Sequence, residues 1–274
     1  MRKIIRLILG VALLVLAVKA ARAGEVPAHY GKAALPPLSN PAGTIVIIYS
    51  HGSGPDKTMD SCQMNRIDSS SGVPAVVHGL YGRSIAGKTV LVDGFCSLVL
   101  GEFDDATGTG DHKVMLRSRI IEARARAFIA AGVPARQIFL FGHSMGGWAS
   151  LMALARNPET ANAVVAFAPA FAGKIGQRSP VRQKLRDDYA ALITGAGRLP
   201  ALVYASPEDS FETAATLAFL GQIQEVTLIA VPVGVIDGVP CDSSTTFHTV
   251  VRNPCFSQTQ GKVLEKFISE NLIR

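Results

Sequence analysis

Patterns typical of buried strands and of helices alternate along this chain. Short apolar runs, which indicate strands buried on both faces, occupy residues 44–49, 89–93, 137–141, 163–168, 200–205 and 226–231. Helical periodicity lies between and after these runs, within 74–87 and at 114–131, 145–156, 183–194, 211–221 and 260–272. This alternation predicts an α/β fold in which a mostly parallel central sheet carries helices on both faces. Because no internal repeat or low-complexity linker interrupts residues 24–274, we expect them to form a single domain.

The run Gly142-His-Ser-Met-Gly-Gly147 separates the predicted strand 137–141 from the predicted helix 145–156. A strand that turns into a helix at G-x-S-x-G is typical of a nucleophile elbow, which holds the serine hydroxyl on a strained turn at the helix N-terminus. Glycines on either side leave room for such a turn, which a Cβ would obstruct. The pattern therefore predicts that Ser144 is a catalytic nucleophile.

An acid and then a histidine follow the serine along the chain in enzymes with this elbow. His248 is the only one of the six histidines that lies beyond Ser144, and it precedes the last predicted helix. Among the nine carboxylates between these two residues, Glu208 and Asp209 follow a predicted core strand, where the catalytic groups of a parallel sheet lie. We expect Asp209 to be the acid, with Glu208 as the alternative.

A second loop follows the first predicted strand and has the sequence Ser-His-Gly-Ser-Gly-Pro over residues 50–55. In enzymes with a nucleophile elbow, one N–H from such a loop and one from the residue after the nucleophile bind the developing oxyanion. We expect the backbone N–H groups of Ser53 and Met145 to have this role. We expect His51 to shape the loop through hydrogen bonds, and His143 to be a packed neighbour of the elbow.

With these motifs in this order, the chain resembles serine hydrolases of the α/β-hydrolase superfamily over nearly all of residues 24–274. The stretch from Arg117 into the elbow is similar to dienelactone-hydrolase-like and other esterase members. The resemblance implies that Ser144, Asp209 and His248 cleave an ester-type bond of a small-molecule substrate through an acyl-enzyme intermediate, without a cofactor. The same triad serves thioesterases, lactonases and peptidases, and the fold also serves catalytically silent binding proteins.

Residues 1–23 have the three parts of a secretory signal peptide. A basic start is followed by an apolar run over residues 7–18 and by the small-x-small site Ala21-Arg-Ala23. Because this run is too short to span a bilayer, we expect cleavage after Ala23 rather than a stable membrane anchor. The chain is then expected to be periplasmic or secreted.

The net charge of +6 belongs largely to this predicted signal. The chain has 27 lysines and arginines and 21 aspartates and glutamates, and five of the basic residues fall within residues 1–23. Residues 24–274 are thus nearly neutral, so the composition gives no indication of a nucleic-acid partner. The oligomeric state has no signature in the sequence.

Four cysteines lie beyond the predicted signal, which in an exported protein favours two disulfides. We expect links between Cys62 and Cys96 and between Cys241 and Cys255, although four cysteines allow three pairings. The second link would bracket His248 and restrain it. No C-x-x-C or H-x-x-x-H spacing supports a metal site as the alternative.

Two other segments contain patterns that occur in anion-binding sites. Gly82–Thr89 matches the phosphate-binding pattern GxxxxGK[ST], but a helical pattern precedes it and a strand follows it, the reverse of what phosphate binding requires. We therefore expect no nucleotide there. Residues 174–186 contain five basic side chains, which we expect to form a solvated helix face balanced by Asp187 and Asp188. The alternative is a small lid that contacts an acidic group of the substrate.

Overall fold

A seven-stranded sheet forms the centre of the molecule. The computed structural model describes residues 34–53, 72–94, 103–232, 234–241 and 247–273 of the 274-residue chain. The strands of the central sheet are β1 (Thr44–Ser50), β2 (Ser84–Ile85), β3 (Lys88–Gly94), β4 (Ile138–His143), β5 (Ala163–Phe167), β6 (Arg198–Ala205) and β7 (Gln224–Ala230). Their order across the sheet is β2-β3-β1-β4-β5-β6-β7, and all neighbours are parallel except the antiparallel pair β2 and β3.

Helices cover both faces of this sheet. They are α1 (Ala75–His78), α2 (Lys113–Ala130), α3 (Met145–Arg156), α4 (Pro180–Thr194) and α5 (Pro254–Ile273). One core joins the sheet to α2, α3 and α4, and a second core joins its other face to α1 and α5. The mostly parallel α/β architecture predicted from the sequence is confirmed.

The alternation of side chains along each strand explains why the strands are apolar throughout. In β1, Ile45 and Ile47 pack in the core beneath α1 and α5, whereas Val46 and Ile48 pack beneath α2 and α3. All four side chains are completely buried. Burial of each such side chain stabilises the fold by about 1.5–3 kcal/mol.

Two of the predicted helices differ from the structure. Within 74–87 the helix ends at His78, and the chain then forms a tight hairpin between β2 and β3, with positive φ at Ala86 (49°) and Gly87 (74°). The run Gly82–Thr89 is therefore part of a hairpin and not a loop that opens a helix. The expectation that it does not have the architecture of a phosphate-binding loop is in accord with this geometry.

The predicted helix at 211–221 is instead a series of turns that ends in a 3-10 segment at Ala218–Gln222. Polar side chains here bond to each other and to the local backbone. The Thr213 hydroxyl accepts from the Thr216 N–H at 3.1 Å, and the Thr216 hydroxyl donates to Glu212 at 2.8 Å. Such bonds compete with the backbone pairing of an α-helix.

A short hairpin that the sequence analysis missed lies after the sheet. Its strands are β8 (Val235–Ile236) and β9 (Val239–Pro240). Asp237 and Gly238 join them with φ values of 51° and 75°, so the Asp-Gly pair forms the tight turn for which it is favoured. The hairpin leads directly to Cys241.

Several expectations concern parts of the chain outside the described residues. These are the signal peptide at residues 1–23 and the link between Cys62 and Cys96. Within the described part, no helix combines the length and apolar character needed to cross a membrane.

Candidate active site

Ser144 stands alone between β4, which ends at His143, and α3, which begins at Met145. Its backbone has φ 53° and ψ −121°, a region that L-residues rarely adopt. Steric contacts explain why glycines stand on either side of this turn. A Cβ on Gly142 would lie 2.3 Å from the carbonyl carbon of Gly146, and one on Gly146 would lie 2.0 Å from the carbonyl oxygen of Ser50. The strained turn predicted from the motif is present, and only glycine fits beside it.

A chain of hydrogen bonds joins three residues that are distant in sequence. The Nε2 atom of His248 lies 2.8 Å from the Ser144 hydroxyl, and its Nδ1 atom lies 2.7 Å from Oδ2 of Asp209. The other carboxylate oxygen of Asp209 accepts from the backbone N–H of Phe211 at 2.8 Å. Asp209 is completely enclosed, with only 1 % of its surface exposed. The structure thus brings Ser144, His248 and Asp209 together.

Glu208, the alternative acid, lies outside this chain. Its side chain is exposed, and its Oε2 atom accepts from the hydroxyl of Ser206 at 2.9 Å. Both acids lie in the turn after β6, which ends at Ala205, but their side chains have different partners. In this structure, Asp209 is the one directed at His248.

His248 is held from several sides. It lies in a 3-10 segment, Phe247–Arg252, whose two flanks are tied by a disulfide between Cys241 and Cys255, with their Cα atoms 5.8 Å apart. The ring of Phe211 packs against the imidazole with 4.4 Å between ring centroids. The link from Cys241 to Cys255 is the pairing expected from the sequence.

His143 contributes more than packing. Its Nε2 atom lies 2.7 Å from the backbone carbonyl oxygen of His248. Since a carbonyl only accepts, His143 must carry its proton on Nε2 and donate it. Burial lowers the pKa of His143 to about 3, and the nearby His248 contributes in the same direction, so the ring is neutral. The residue expected to be only a packed neighbour therefore fixes the backbone of His248.

The loop after β1 is held by an arginine that the sequence analysis did not single out. The buried guanidinium of Arg117, on α2, donates to the backbone carbonyls of His51 and Gly52. His51 also bonds locally, because its Nδ1 atom lies 2.7 Å from the Gly52 carbonyl oxygen. Nothing in the local sequence marks Arg117, since its partners lie 65 and 66 residues away.

Ser53 belongs to this loop and lies beside Met145, with 3.6 Å between the Ser53 hydroxyl and the Met145 sulfur. Within the described part of the chain, neither residue donates its backbone N–H to another backbone group outside helices and strands. The first N–H groups of a helix have no partner inside the helix, and Met145 is the first residue of α3. Ser53 lines the same cavity as Ser144, and Met145 directly follows Ser144, so both residues expected to bind an oxyanion lie near Ser144.

A cavity of about 430 Å³ opens onto this group of residues. Its lining includes small and aromatic side chains together with two cationic ones. The lining residues are Ser53, Lys113, Ser144, Ala170, Phe171, Ala172, Gly173, Gln177, Arg182, Phe211 and His248. Among the described residues, no cluster of three or more histidine, cysteine or acidic side chains has a geometry suited to a metal ion.

The basic segment 174–186 is only partly the solvated face that we expected. Lys184 is exposed and pairs with Asp188 at 2.7 Å, as a solvated helix residue would. Arg178 and Arg186 instead bind the buried carboxylate of Glu212, at 2.7 and 3.1 Å. The expectation is wrong for these two arginines and for Arg182, which lines the cavity. The reason is that Arg186 packs over the rings of Trp148 and Phe219, where the buried Glu212 pairs with both Arg186 and Arg178.

Comparison with known proteins agrees with the fold. The family model described as "Serine aminopeptidase, S33" matches residues 123–203, which is less than half of the chain. No curated protein sequence matches significantly.

Three similar solved structures illustrate the likeness. Est1E from Butyrivibrio proteoclasticus is 17 % identical, with a TM-score of 0.51 over 87 % of this chain and 92 % of that chain. Esterase 2 of Thermogutta terrifontis is 15 % identical, with a TM-score of 0.49 over 84 % and 85 % of the two chains. A predicted CIB-like hydrolase from Thermoplasma acidophilum is 17 % identical, with a TM-score of 0.48 over 82 % and 86 %. The chain has the α/β-hydrolase fold that its motifs led us to expect.

Proposed function

We propose that this protein is a serine hydrolase that cleaves an ester-type bond through an acyl-enzyme intermediate. The observation that carries the proposal is the hydrogen-bonded chain from the Ser144 hydroxyl through His248 to the buried Asp209. This chain starts on a strained turn that faces a cavity large enough for a small molecule. Fold alone would not support a particular activity, but this arrangement of a nucleophile, a base and an acid does.

In the proposed reaction, His248 removes the proton of the Ser144 hydroxyl as the oxygen attacks the substrate carbonyl. The backbone N–H groups of Ser53 and Met145 bind the oxyanion of the tetrahedral intermediate. Asp209 accepts the Nδ1–H of His248, keeps the ring in one tautomer and stabilises the imidazolium. His248 then gives its proton to the leaving oxygen, and the acyl group stays on Ser144.

A water molecule completes the cycle. His248 removes a proton from the water, which attacks the acyl-enzyme carbonyl, and a second tetrahedral intermediate collapses to free acid and free Ser144. No group outside the chain is needed for these proton transfers. Thioesters, lactones and peptides react by the same steps, and the partial match to the serine aminopeptidase model makes a peptide substrate the second candidate.

The experiment that tests this function compares the wild-type protein with Ser144→Ala on a panel of aryl esters, thioesters, lactones and aminoacyl amides. Ser150→Ala is the matched control, because Ser150 is a buried serine of α3, the helix that follows Ser144, and does not line the cavity. Wild type and Ser150→Ala should hydrolyse esters and be labelled by a fluorophosphonate probe, while Ser144→Ala should do neither. Equal turnover by folded Ser144→Ala would refute the mechanism. Unlabelled wild type without turnover would indicate a binding protein.

We propose further that the protein acts outside the cytoplasm. The signal-like sequence at residues 1–23 supports this, and so does the disulfide between Cys241 and Cys255, because disulfides persist in oxidising compartments. N-terminal sequencing of protein from the periplasmic or culture fraction should begin at Gly24. A cytoplasmic protein that keeps its first residues would contradict export without affecting the proposed chemistry.

A further inference from the structure

Two cationic side chains, Lys113 and Arg182, line the same cavity as Ser144 and His248. Lys113 is the first residue of α2, where the helix dipole already places partial positive charge. Arg117 lies one turn further along the same helix. Burial lowers the pKa of Lys113, and the nearby Arg117 and Arg182 lower it further. A lysine in this position is unfavourable for the helix, so folding alone does not account for it.

Asp105 is the carboxylate whose negative charge acts on Lys113, but it is already paired with Arg182. Asp105 binds the guanidinium of Arg182 through both carboxylate oxygens, one of them 2.5 Å from Nη2. Lys113 itself forms no ion pair with any residue that the structure describes. One ammonium charge on the cavity wall is therefore left without a neutralising group in the described part of the chain.

Arg182 is fixed in place before any substrate binds. Besides Asp105, its Nη1 atom lies 2.8 Å from Nε2 of His112, and its guanidinium lies 5.6 Å from the ring centroid of Phe103. Burial lowers the pKa of His112 to about 3, and the charge of Arg182 contributes, so this histidine is neutral and accepts the bond. Arg182 lines the cavity, and because its side chain is already ordered by these contacts, a further hydrogen bond from it costs little entropy.

We propose that Lys113, together with Arg182 and Gln177 of the same cavity lining, binds a carboxylate of the substrate. The substrate class would then be acyl compounds that keep one free carboxylate at a distance from the bond that is cleaved. This inference rests on the proposed function of Ser144. A carboxylate fits better than a phosphate dianion, because Lys113 offers one ammonium that pairs with no described acid, and the fork of Arg182 is largely occupied by Asp105.

Kinetics with two esters of equal chain length test the subsite. The esters are 4-nitrophenyl hydrogen adipate, which has a terminal carboxylate, and neutral 4-nitrophenyl hexanoate. We expect wild type to prefer the adipate ester in kcat/KM by about 10-fold or more. Lys113→Gln should reduce that preference by on the order of 10-fold, and Lys113→Arg should retain part of it. Added salt should reduce the preference of wild type.

Lys184→Gln is the matched control, because Lys184 is an exposed lysine on α4 that does not line the cavity. It should leave kcat/KM for both esters unchanged. The subsite is refuted if wild type does not prefer the adipate ester, or if Lys113→Gln lowers kcat/KM for the two esters equally.

A binding measurement separates the subsite from the proposed chemistry. Absence of turnover of both esters would refute the ester hydrolase function but not the subsite. Ligand-observed NMR with monomethyl adipate and dimethyl adipate then decides. Stronger binding of the monoanion by wild type, lost in Lys113→Gln and kept in Lys184→Gln, supports the carboxylate subsite. Equal binding of both compounds, or binding unaffected by Lys113→Gln, overturns it.

Discussion

The imidazole of His143 donates a hydrogen bond to the backbone carbonyl of His248, with 2.7 Å between Nε2 and the oxygen. His143 immediately precedes Ser144, and the ring of His248 contacts the Ser144 hydroxyl at 2.8 Å. Two adjacent residues of the elbow therefore both contact His248, Ser144 through the imidazole ring and His143 through the backbone carbonyl. One provides the proposed nucleophile, and the other fixes the backbone of the proposed base.

This relationship makes His143 a positioning residue. His143→Met removes the donor at similar volume, so His248 gains freedom and kcat should fall by roughly 10- to 100-fold with little change in KM. His143→Gln retains an N–H donor and should recover part of kcat. The measurements are steady-state kinetics and thermal unfolding of both variants. A purely structural role would be indicated if the two variants lost activity in proportion to stability.

Asp209 and Glu208 give a direct comparison of two neighbouring acids. Asp209→Asn presents an amide N–H or oxygen to Nδ1 of His248, which disturbs its tautomer, so kcat should fall by about 10⁴-fold. Glu208→Gln should change kcat less than about threefold, because its carboxylate is exposed and accepts a hydrogen bond from the Ser206 hydroxyl rather than from His248. Esterase kinetics of the two purified variants provide the test. A large loss in Glu208→Gln together with a small loss in Asp209→Asn would contradict the assignment.

Arg117 should matter through the loop that carries Ser53. Arg117→Met leaves the carbonyls of His51 and Gly52 without this donor and loosens the loop, so kcat should fall by about 10-fold or more. The distinguishing measurement is affinity for a boronic acid that forms a tetrahedral adduct with Ser144. That affinity should fall with kcat, whereas KM for the ester should change little. Unchanged boronate affinity in a folded Arg117→Met protein would contradict the link between Arg117 and the oxyanion site.

The sequence predicts the local parts of this site because their causes are local. Gly142 and Gly146 are required by contacts within a few residues of the turn, and the motif states that requirement directly. The place after a strand buried on both faces selects Glu208 and Asp209, and only the structure shows that Asp209 contacts His248. The order of serine, acid and histidine along the chain then leaves His248 as the only histidine available.

Contacts across the fold have no such signature. The bonds from Arg117 to the β1 loop, from His143 to His248, and from Arg182 to Asp105 join residues 65 or more positions apart. Each depends on how helices pack on the sheet rather than on a pattern in one segment. The hairpin at Asp237 and Gly238 is different, since its turn signal is present but its two-residue strands are too short to show periodicity.

Acid should destabilise the protein through His143. Its pKa is about 3 in the folded state and 6.5 is the ordinary value for the unfolded state, so the unfolded chain binds more protons between these values. The stability that this group contributes is complete above pH 6.5 and is lost as the pH falls towards 3. Wild type should lose about 2 kcal/mol more than His143→Gln between pH 7 and pH 5. Urea unfolding of both proteins at these two pH values measures the difference, and parallel losses would contradict it.

The disulfide between Cys241 and Cys255 should affect both stability and rate. Its residues are 14 positions apart, so removing the link from the native protein should reduce the free energy of unfolding by about 3 kcal/mol in the chain-entropy model. His248 lies between the two cysteines, but His143 and Asp209 also hold it, so Cys241→Ser with Cys255→Ser should reduce kcat by on the order of 10-fold rather than abolish activity. Adding His143→Met to the double serine variant should lower kcat by more than the product of the separate effects, because both restraints act on one residue.

Urea unfolding and esterase kinetics at a temperature where every variant is folded provide the measurements. Strictly multiplicative losses in kcat would show that the disulfide and His143 restrain His248 independently, which would contradict this account.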